Sequence, residues 1–333
     1  MKQIYLVMIS ILFGLSAFAA DESGKFGDNI SYKLSDDGTF TLTGNGEMKE
    51  AYSPVDLPWA NSMKKIKKII IEEGITNLCQ YAFYGSENAT EVQFPSSLTN
   101  INKHTFEGCK SLTSIKFPDN IELIDESAFA NCDGLTSIKF PKNLKTIGVS
   151  AFSSEKETKI ETLDLSNTSI ENIGGLAFAY NKNLKTVILP NTLKGFYILD
   201  FTGSPSYGDM TFLDCNKIAS VTCKATTPPL TDEYAFPFGG TKISELVIPK
   251  GSTQAYKKAG WDENHFEKII EKDFNKPDGI NQITNEKVKE IDVYTLTGYK
   301  CLTKANKEEL NNLPKGVYTV SYTHLTLPTT ERV

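Results

Sequence analysis

Histidine is scarce in this sequence: three residues, His104, His265 and His324, stand far apart in a chain of 333. That scatter offers no histidine-based zinc site. No Cys-x-x-Cys pair, Gly-x-x-x-x-Gly-Lys-Ser/Thr loop, His-Glu-x-x-His or Gly-x-Ser-x-Gly motif occurs. The usual redox, nucleotide-binding, metalloprotease and serine-hydrolase signatures are therefore missing. No catalytic residue, cofactor site or metal ligand is assigned, and the chain is expected not to be an enzyme. A basic excess is also lacking: 35 Lys and Arg face 41 Asp and Glu, a net charge of -6. Nucleic-acid affinity comes mainly from neutralising phosphates, so no nucleic-acid partner is expected. Beyond the first 20 residues no apolar run is long enough to cross a bilayer, and no transmembrane segment is expected. Apolar residues at 40% and charged residues at 23% exclude disorder throughout.

The one apolar run is N-terminal. Lys2 precedes residues 4–15, and Ala17-Phe18-Ala19 offers small residues for a cleavage near Ala19, before Asp21-Glu22. This is the pattern of a secretory signal peptide, too short for a membrane span. Removing Lys2 with it leaves 34 basic against 41 acidic residues, a net charge of -7. The expected location is secreted or on the outer cell surface.

The middle of the chain repeats. Leu112-Thr113-Ser114-Ile115-Lys116-Phe117-Pro118 recurs 23 positions later as Leu135-Thr136-Ser137-Ile138-Lys139-Phe140-Pro141. Phe83, Phe106, Phe129 and Phe152 are each 23 apart and are followed by Phe178, Phe212 and Phe236, all preceded by Ala or Thr. Short alternating segments lie at 69–71, 92–94, 115–117, 138–140, 163–165, 187–189, 221–223 and 246–248, five of them followed by Pro. In Ile115-Lys116-Phe117 the alternation buries Ile and Phe and exposes Lys, as in a short strand. Pro118 stops the strand because it lacks the next ladder donor. Ile121 and Ile124 turn inward again, and Phe129 fills the coil. One coil cannot bury this core alone, so coils stack. Eight rungs span roughly 34 Å. The wider step from Phe178 to Phe212 places an inserted loop at 202–211, rich in turn formers and carrying Tyr207.

The pattern Ile-x-Phe-Pro, Ile-x-x-Ile, Ala-Phe-x-x-Cys-x-x-Leu resembles BspA-like leucine-rich repeats, over roughly residues 24–261. Like many such proteins, the chain opens with Gly44-Asn45-Gly46-Glu47-Met48 and Pro58-Trp59. It closes the repeats with Ile248-Pro249-Lys250-Gly251-Ser252, Tyr256 and Trp261. The expected fold is a solenoid of short parallel strands, neither α nor α/β in character, with about eight rungs. Asp36-Asp37-Gly38 turns a hairpin that caps one end, and a short helix at 252–259 with Trp261 caps the other. After Lys276-Pro277-Asp278-Gly279, a hairpin and Leu313-Pro314-Lys315-Gly316-Val317-Tyr318 resemble a C-terminal type IX (Por) secretion sorting domain. The Lys-rich strand that usually finishes that module is missing here. The expected boundaries are signal peptide 1–20, N-terminal β cap 21–68, solenoid 69–262, linker 263–285, partial sorting-like β module 286–320 and a foreign-looking tail 321–333.

His265-Phe266-Glu267 is read as a polar edge of the cap, Asp125-Glu126 and Glu72-Glu73 as solvated turns, and Lys64-Lys65 with Lys67-Lys68 as a solvated cap edge. Cys109, Cys132 and Cys215 each follow a ladder Phe by three residues, and Cys223 takes an inward strand position. They are read as small buried thiols rather than disulfides or metal ligands. The remaining candidate is a surface. Outward strand residues Ile70, Gln93, Lys116, Lys139, Asp164, Ile188, Thr222 and Val247 are expected to form one continuous stripe. Gln93, Lys116, Lys139, Asp164, Ile188 and Thr222 form the candidate binding face, with Tyr207 and Asp209 in a competing loop. The resemblance implies adhesion without catalysis to a host or cell-surface protein or glycan. The alternative is a glycan-binding accessory module or a glycan hydrolase, which a cleft holding carboxylates and aromatics would favour.

Overall fold

A computed structural model of the chain describes residues 21–275, apart from 157, 200–204, 208–209, 232–235 and 241, together with backbone strands at 291–295, 300–305 and 318–322. The expected signal peptide, residues 1–20, and Asp209 lie outside these residues.

Two units are present, one ending at Asp273 and one from Phe274 onward. The first opens with antiparallel strands Glu22–Lys25, Ile30–Leu34 and Thr39–Gly44. Gly38, at φ +89°, makes the expected turn, and Asp37 Oδ1 accepts the Thr39 N–H at 2.8 Å. A side chain at Gly38 would meet the Lys65 carbonyl at 2.7 Å, so this turn requires glycine. Thr39–Gly44 then pairs in parallel with Lys68–Ile71, which turns the cap hairpin into the template for the first coil. Trp59 is fully buried beneath the cap, and its indole N–H donates to the Ala82 carbonyl at 2.8 Å.

The eight expected rungs follow as Lys68–Ile71, Glu91–Gln93, Ser114–Lys116, Ser137–Lys139, Thr162–Asp164, Thr186–Leu189, Ser220–Cys223 and Ile243–Pro249. Phe117 and Phe140 sit just past their strands, at the corner where Pro ends the ladder. A second parallel sheet, absent from the sequence reading, lies along another side of the coils. Its strands are Asn100–Ile101, Leu123–Ile124, Thr146–Ile147, Asn172–Gly174 and Gly195–Leu199.

The third side is a turn that carries the phenylalanines. Its alternate N–H groups point along the stack: Phe106 to Ala128 O (2.8 Å), Phe129 to Ala151 O (2.8 Å) and Phe152 to Ala177 O (2.7 Å). The rings stack in one column, with centroid steps of 5.1 Å from Phe106 to Phe129 and 5.4 Å from Phe129 to Phe152. The column ends differently from the expectation. Phe238, not Phe236, stacks on Phe212, at 4.7 Å and 3°. The Phe212 N–H bonds to Pro237 O, the same bond that marks the residue before every ladder Phe.

The helix Thr253–Lys258 closes the far end, with Tyr256 and Trp261 fully buried. The chain does not become a linker at 263. Phe266–Lys272 adds a ninth rung, parallel to Ile243–Pro249, because Phe266 is apolar enough to seal the core under Trp261. In the second unit, Ile291–Thr295 lies between antiparallel Lys300–Ala305 and Tyr318–Tyr322.

Candidate functional site

The strand face is built by alternation. Ile115, Leu163 and Val187 point inward and are buried, so Lys116, Asp164 and Ile188 point out. Lys116 lies beside Lys139 and Ser114 beside Ser137, one rung apart in register. Asp164, Ile188 and Thr222 form a second aligned row. The stripe is not one continuous ladder, however. Glu91–Gln93 is not hydrogen-bonded to Ser114–Lys116, nor Ser137–Lys139 to Thr162–Asp164. At the second break the coil carries the three extra residues that lengthen Phe152–Phe178 to 26 positions. At the first break a cleft of mixed character opens beside Lys116, lined by Val92, Phe94, Phe117 and Pro118 and by the polar Thr90, Glu91, Gln93 and Ser114.

Charge pairing sets the two central lysines apart. Along the coils, lysines pair with carboxylates one coil away: Lys68–Glu91 (3.3 Å), Lys103–Glu126 (3.0 Å), Lys145–Glu122 (2.8 Å) and Lys194–Glu171 (2.7 Å). Among the described residues Lys116 and Lys139 have no such partner. Asp164, the carboxylate on the stripe itself, accepts the Ser166 N–H at 2.9 Å. Glu91 is taken by Lys68. Two ammonium groups and two serine hydroxyls therefore share one exposed patch on an acidic chain. In the competing loop, Tyr207 falls on the backbone strand Pro205–Tyr207, and its side chain lies outside the described residues.

The thiols are buried donors. Cys109 Sγ donates to Phe83 O (3.5 Å), Cys132 to Phe106 O (3.2 Å) and Cys215 to Phe178 O (3.1 Å). Asn181 fills the same slot in its coil and donates to Phe152 O at 2.9 Å. In these four coils the position supplies a small donor to the carbonyl of the preceding ladder Phe. Cys79, Cys109, Cys132, Cys215 and Cys223 are all free. Burial pushes the thiols of Cys109 and Cys215 up to about 12.

Other polar groups resolve into local structure. His265 stacks on Phe236 at 3.8 Å, and burial lowers its pKa. Glu73 accepts the Ser96 N–H and hydroxyl, which hold its carboxyl below the usual range. Glu126 is paired with Lys103, and Lys64 lies 3.7 Å from Glu87. No group of three or more His, Cys, Asp or Glu among the described residues could hold a metal ion.

Sequence reasoning missed a groove on the turn side, lined by Tyr84, Gly85, Glu107, Gly108, Lys110 and Asp133 among others, with a volume of about 270 Å³. The signal was present: Gly85, Gly108 and Asn131 recur at one repeat position, 23 residues apart.

Stacked coils with parallel strands and a buried phenylalanine column define a leucine-rich repeat solenoid. The sequence profile of the BspA type leucine rich repeat region matches in six copies, over residues 60–185 and 156–262. That is more than half of the chain, which belongs to this family. Similar solved structures include a leucine-rich repeat protein from Eubacterium ventriosum, at 18% identity over 69% of this chain and 67% of that one, with a TM-score of 0.39. A leucine-rich repeat protein from Bacteroides ovatus is 17% identical over 67% of this chain and 70% of its own, with a TM-score of 0.40. A leucine rich cell surface protein from Faecalibacterium prausnitzii is 15% identical over 76% and 95%, with a TM-score of 0.33. No curated protein matches the chain. No helix among the described residues is long and apolar enough to cross a membrane.

Proposed function

We propose that this is an exported, surface-associated protein that holds a macromolecule on the strand face of its solenoid, without catalysis. The observation that carries the reading is the in-register pair Lys116–Lys139, exposed and without carboxylate partners among the described residues, beside Ser114 and Ser137. Such a patch suits a carboxylate, a sulfate or an acidic side chain on a host or cell-surface protein or glycan. The cleft beside Lys116, where Val92, Phe94, Phe117 and Pro118 meet Thr90, Gln93 and Ser114, adds surface that a ligand could desolvate. Solenoids commonly bind along such extended faces. In this reading residues 1–20 direct export, with cleavage near Ala19, and residues 286–320 are a partial module that resembles a sorting domain without its last strand. An array of matrix proteins and glycans, probed with the full chain, tests the reading. Salt-sensitive capture of an anionic member supports it, and failure to capture any anionic member contradicts it.

A further inference from the structure

The turn-side groove is a different site on a different face, and its carboxylates and Tyr84 make it the kind of cleft that the glycan-binding alternative requires. It runs along the stack, from the Tyr84 coil to the Lys156 coil, about 14 Å at ~4.8 Å per rung. Its floor is backbone: Gly85 (φ +69°), Gly108 (φ +75°) and Asn131 (φ +57°) occupy one repeat position. A side chain at Gly85 would meet nothing within 4 Å, whereas one at Gly108 would contact the Gly85 backbone at 3.5 Å, so the glycines let the coils pack closely under the groove and leave its Gly85 end open.

The walls are held in place before any ligand arrives. Tyr84, 38% exposed, packs edge-on against Tyr81 at 5.8 Å. Tyr81 stacks on His104 at 4.8 Å and 2°, and His104 Nδ1 lies 2.5 Å from Glu107 Oε2. One network therefore fixes an exposed aromatic ring and a carboxylate across two coils. On the other wall Glu87 is held by Lys110 at 3.3 Å, and Asp133 accepts the Ser154 hydroxyl at 2.7 Å. Asn131 Oδ1 accepts the Glu155 N–H at 3.0 Å, which leaves its amide nitrogen as a donor.

The lining chemistry selects the ligand. Carboxylates accept hydrogen bonds and never donate them when ionised, whereas Lys110, Lys156 and the Asn131 amide donate. Lys110 is already paired with Glu87, so a cationic ligand would leave the Lys156 ammonium and the Asn131 amide without acceptors, and an anionic one faces the excess carboxylates of Glu107, Asp133 and Glu155. An uncharged polyhydroxylated ligand satisfies both kinds of group, because each hydroxyl donates and accepts, while its C–H faces lie against the Tyr84 ring. We infer that the groove is a non-catalytic binding site for a short uncharged oligosaccharide, with Tyr84 as the stacking platform and Glu107, Asp133 and Asn131 as hydroxyl partners. The fixed walls reduce the ordering cost of binding.

Isothermal titration of the full chain with maltotriose, cellotriose and triacetylchitotriose tests this, with trilysine and trigalacturonate as charged comparisons. At least one uncharged trisaccharide should give saturable binding, stronger than either charged probe. Tyr84→Ala and Asp133→Asn should each weaken it about tenfold. Lys116→Glu/Lys139→Glu should leave it within twofold, so failure here is distinct from failure of the strand-face reading. The proposal is overturned if no uncharged trisaccharide saturates, if a charged probe binds more tightly, or if both groove variants bind within twofold of the parent.

Discussion

At the residue scale, the core depends on a few positions repeated in every coil. Phe129 is 1% exposed and stacks on Phe106 and Phe152. Phe129→Ala should cost about 3–5 kcal/mol through lost burial and the cavity left between two rings. Urea denaturation measures this, and a loss under about 0.5 kcal/mol would match an ordinary surface site and refute the inward assignment. The thiol slot makes a second prediction. The folded thiols of Cys79, Cys109 and Cys215 titrate at about 12 and that of Cys223 at about 11, whereas unfolded thiols titrate near ~8.5. The folded state therefore holds protons that the unfolded state releases. Its contribution to stability is complete below about pH 8.5 and is lost as pH rises toward the folded values. The urea midpoint should fall between pH 7 and pH 9.5, and iodoacetamide should label these thiols only after denaturation. A Cys109–Cys132 bridge detected by mass spectrometry would contradict both statements.

At the scale of elements, the caps convert an open stack into a closed one. Tyr256, on the closing helix, donates its hydroxyl to the Ala225 carbonyl at 2.6 Å inside the core. Tyr256→Phe leaves that carbonyl without its partner and should cost about 1–3 kcal/mol, read as a lower melting temperature with unchanged far-ultraviolet circular dichroism. An unchanged melting temperature would show that the helix does not latch the end. The elements were legible where a residue pattern had room to repeat. Ile115-Lys116-Phe117-Pro118 carries alternation and a stop, and the strand lies there within one residue. The second sheet was illegible because strands such as Leu123–Ile124 are two residues long, too short to show a period. Ala235-Phe236 matched the local marker better than Pro237-Phe238, yet the longer last coil brings Phe238 into the column. Phe266–Lys272 lacks the Ile-x-Phe-Pro signature, so its role as a rung followed only from the register with Ile243–Pro249. Of the candidate site, the outward direction of Lys116 and Lys139 was readable from alternation. Their missing partners and the breaks in the ladder depend on neighbours a full coil away.

At the scale of the whole molecule, the first unit separates two kinds of surface. Axial ion pairs satisfy charge beside both sheets, Lys145–Glu122 and Lys194–Glu171 along the second and Lys68–Glu91 and Lys185–Glu161 toward the two ends of the strand face. The strand face keeps two lysines unpaired at its centre. A chain with a net charge of -6 thus presents a local positive patch, and its contact with an anionic partner is screened over about 8 Å at physiological ionic strength. The central claim is that this patch makes the contact. The most direct measurement compares the parent, Lys116→Glu/Lys139→Glu and a chain lacking residues 203–208 for capture by the anionic array member, with thermal unfolding followed in parallel. The account predicts that the double variant binds at least tenfold more weakly while unfolding nearly unchanged, and that the loop deletion has a smaller effect. A double variant that binds like the parent, with a loop deletion that abolishes capture, would contradict it.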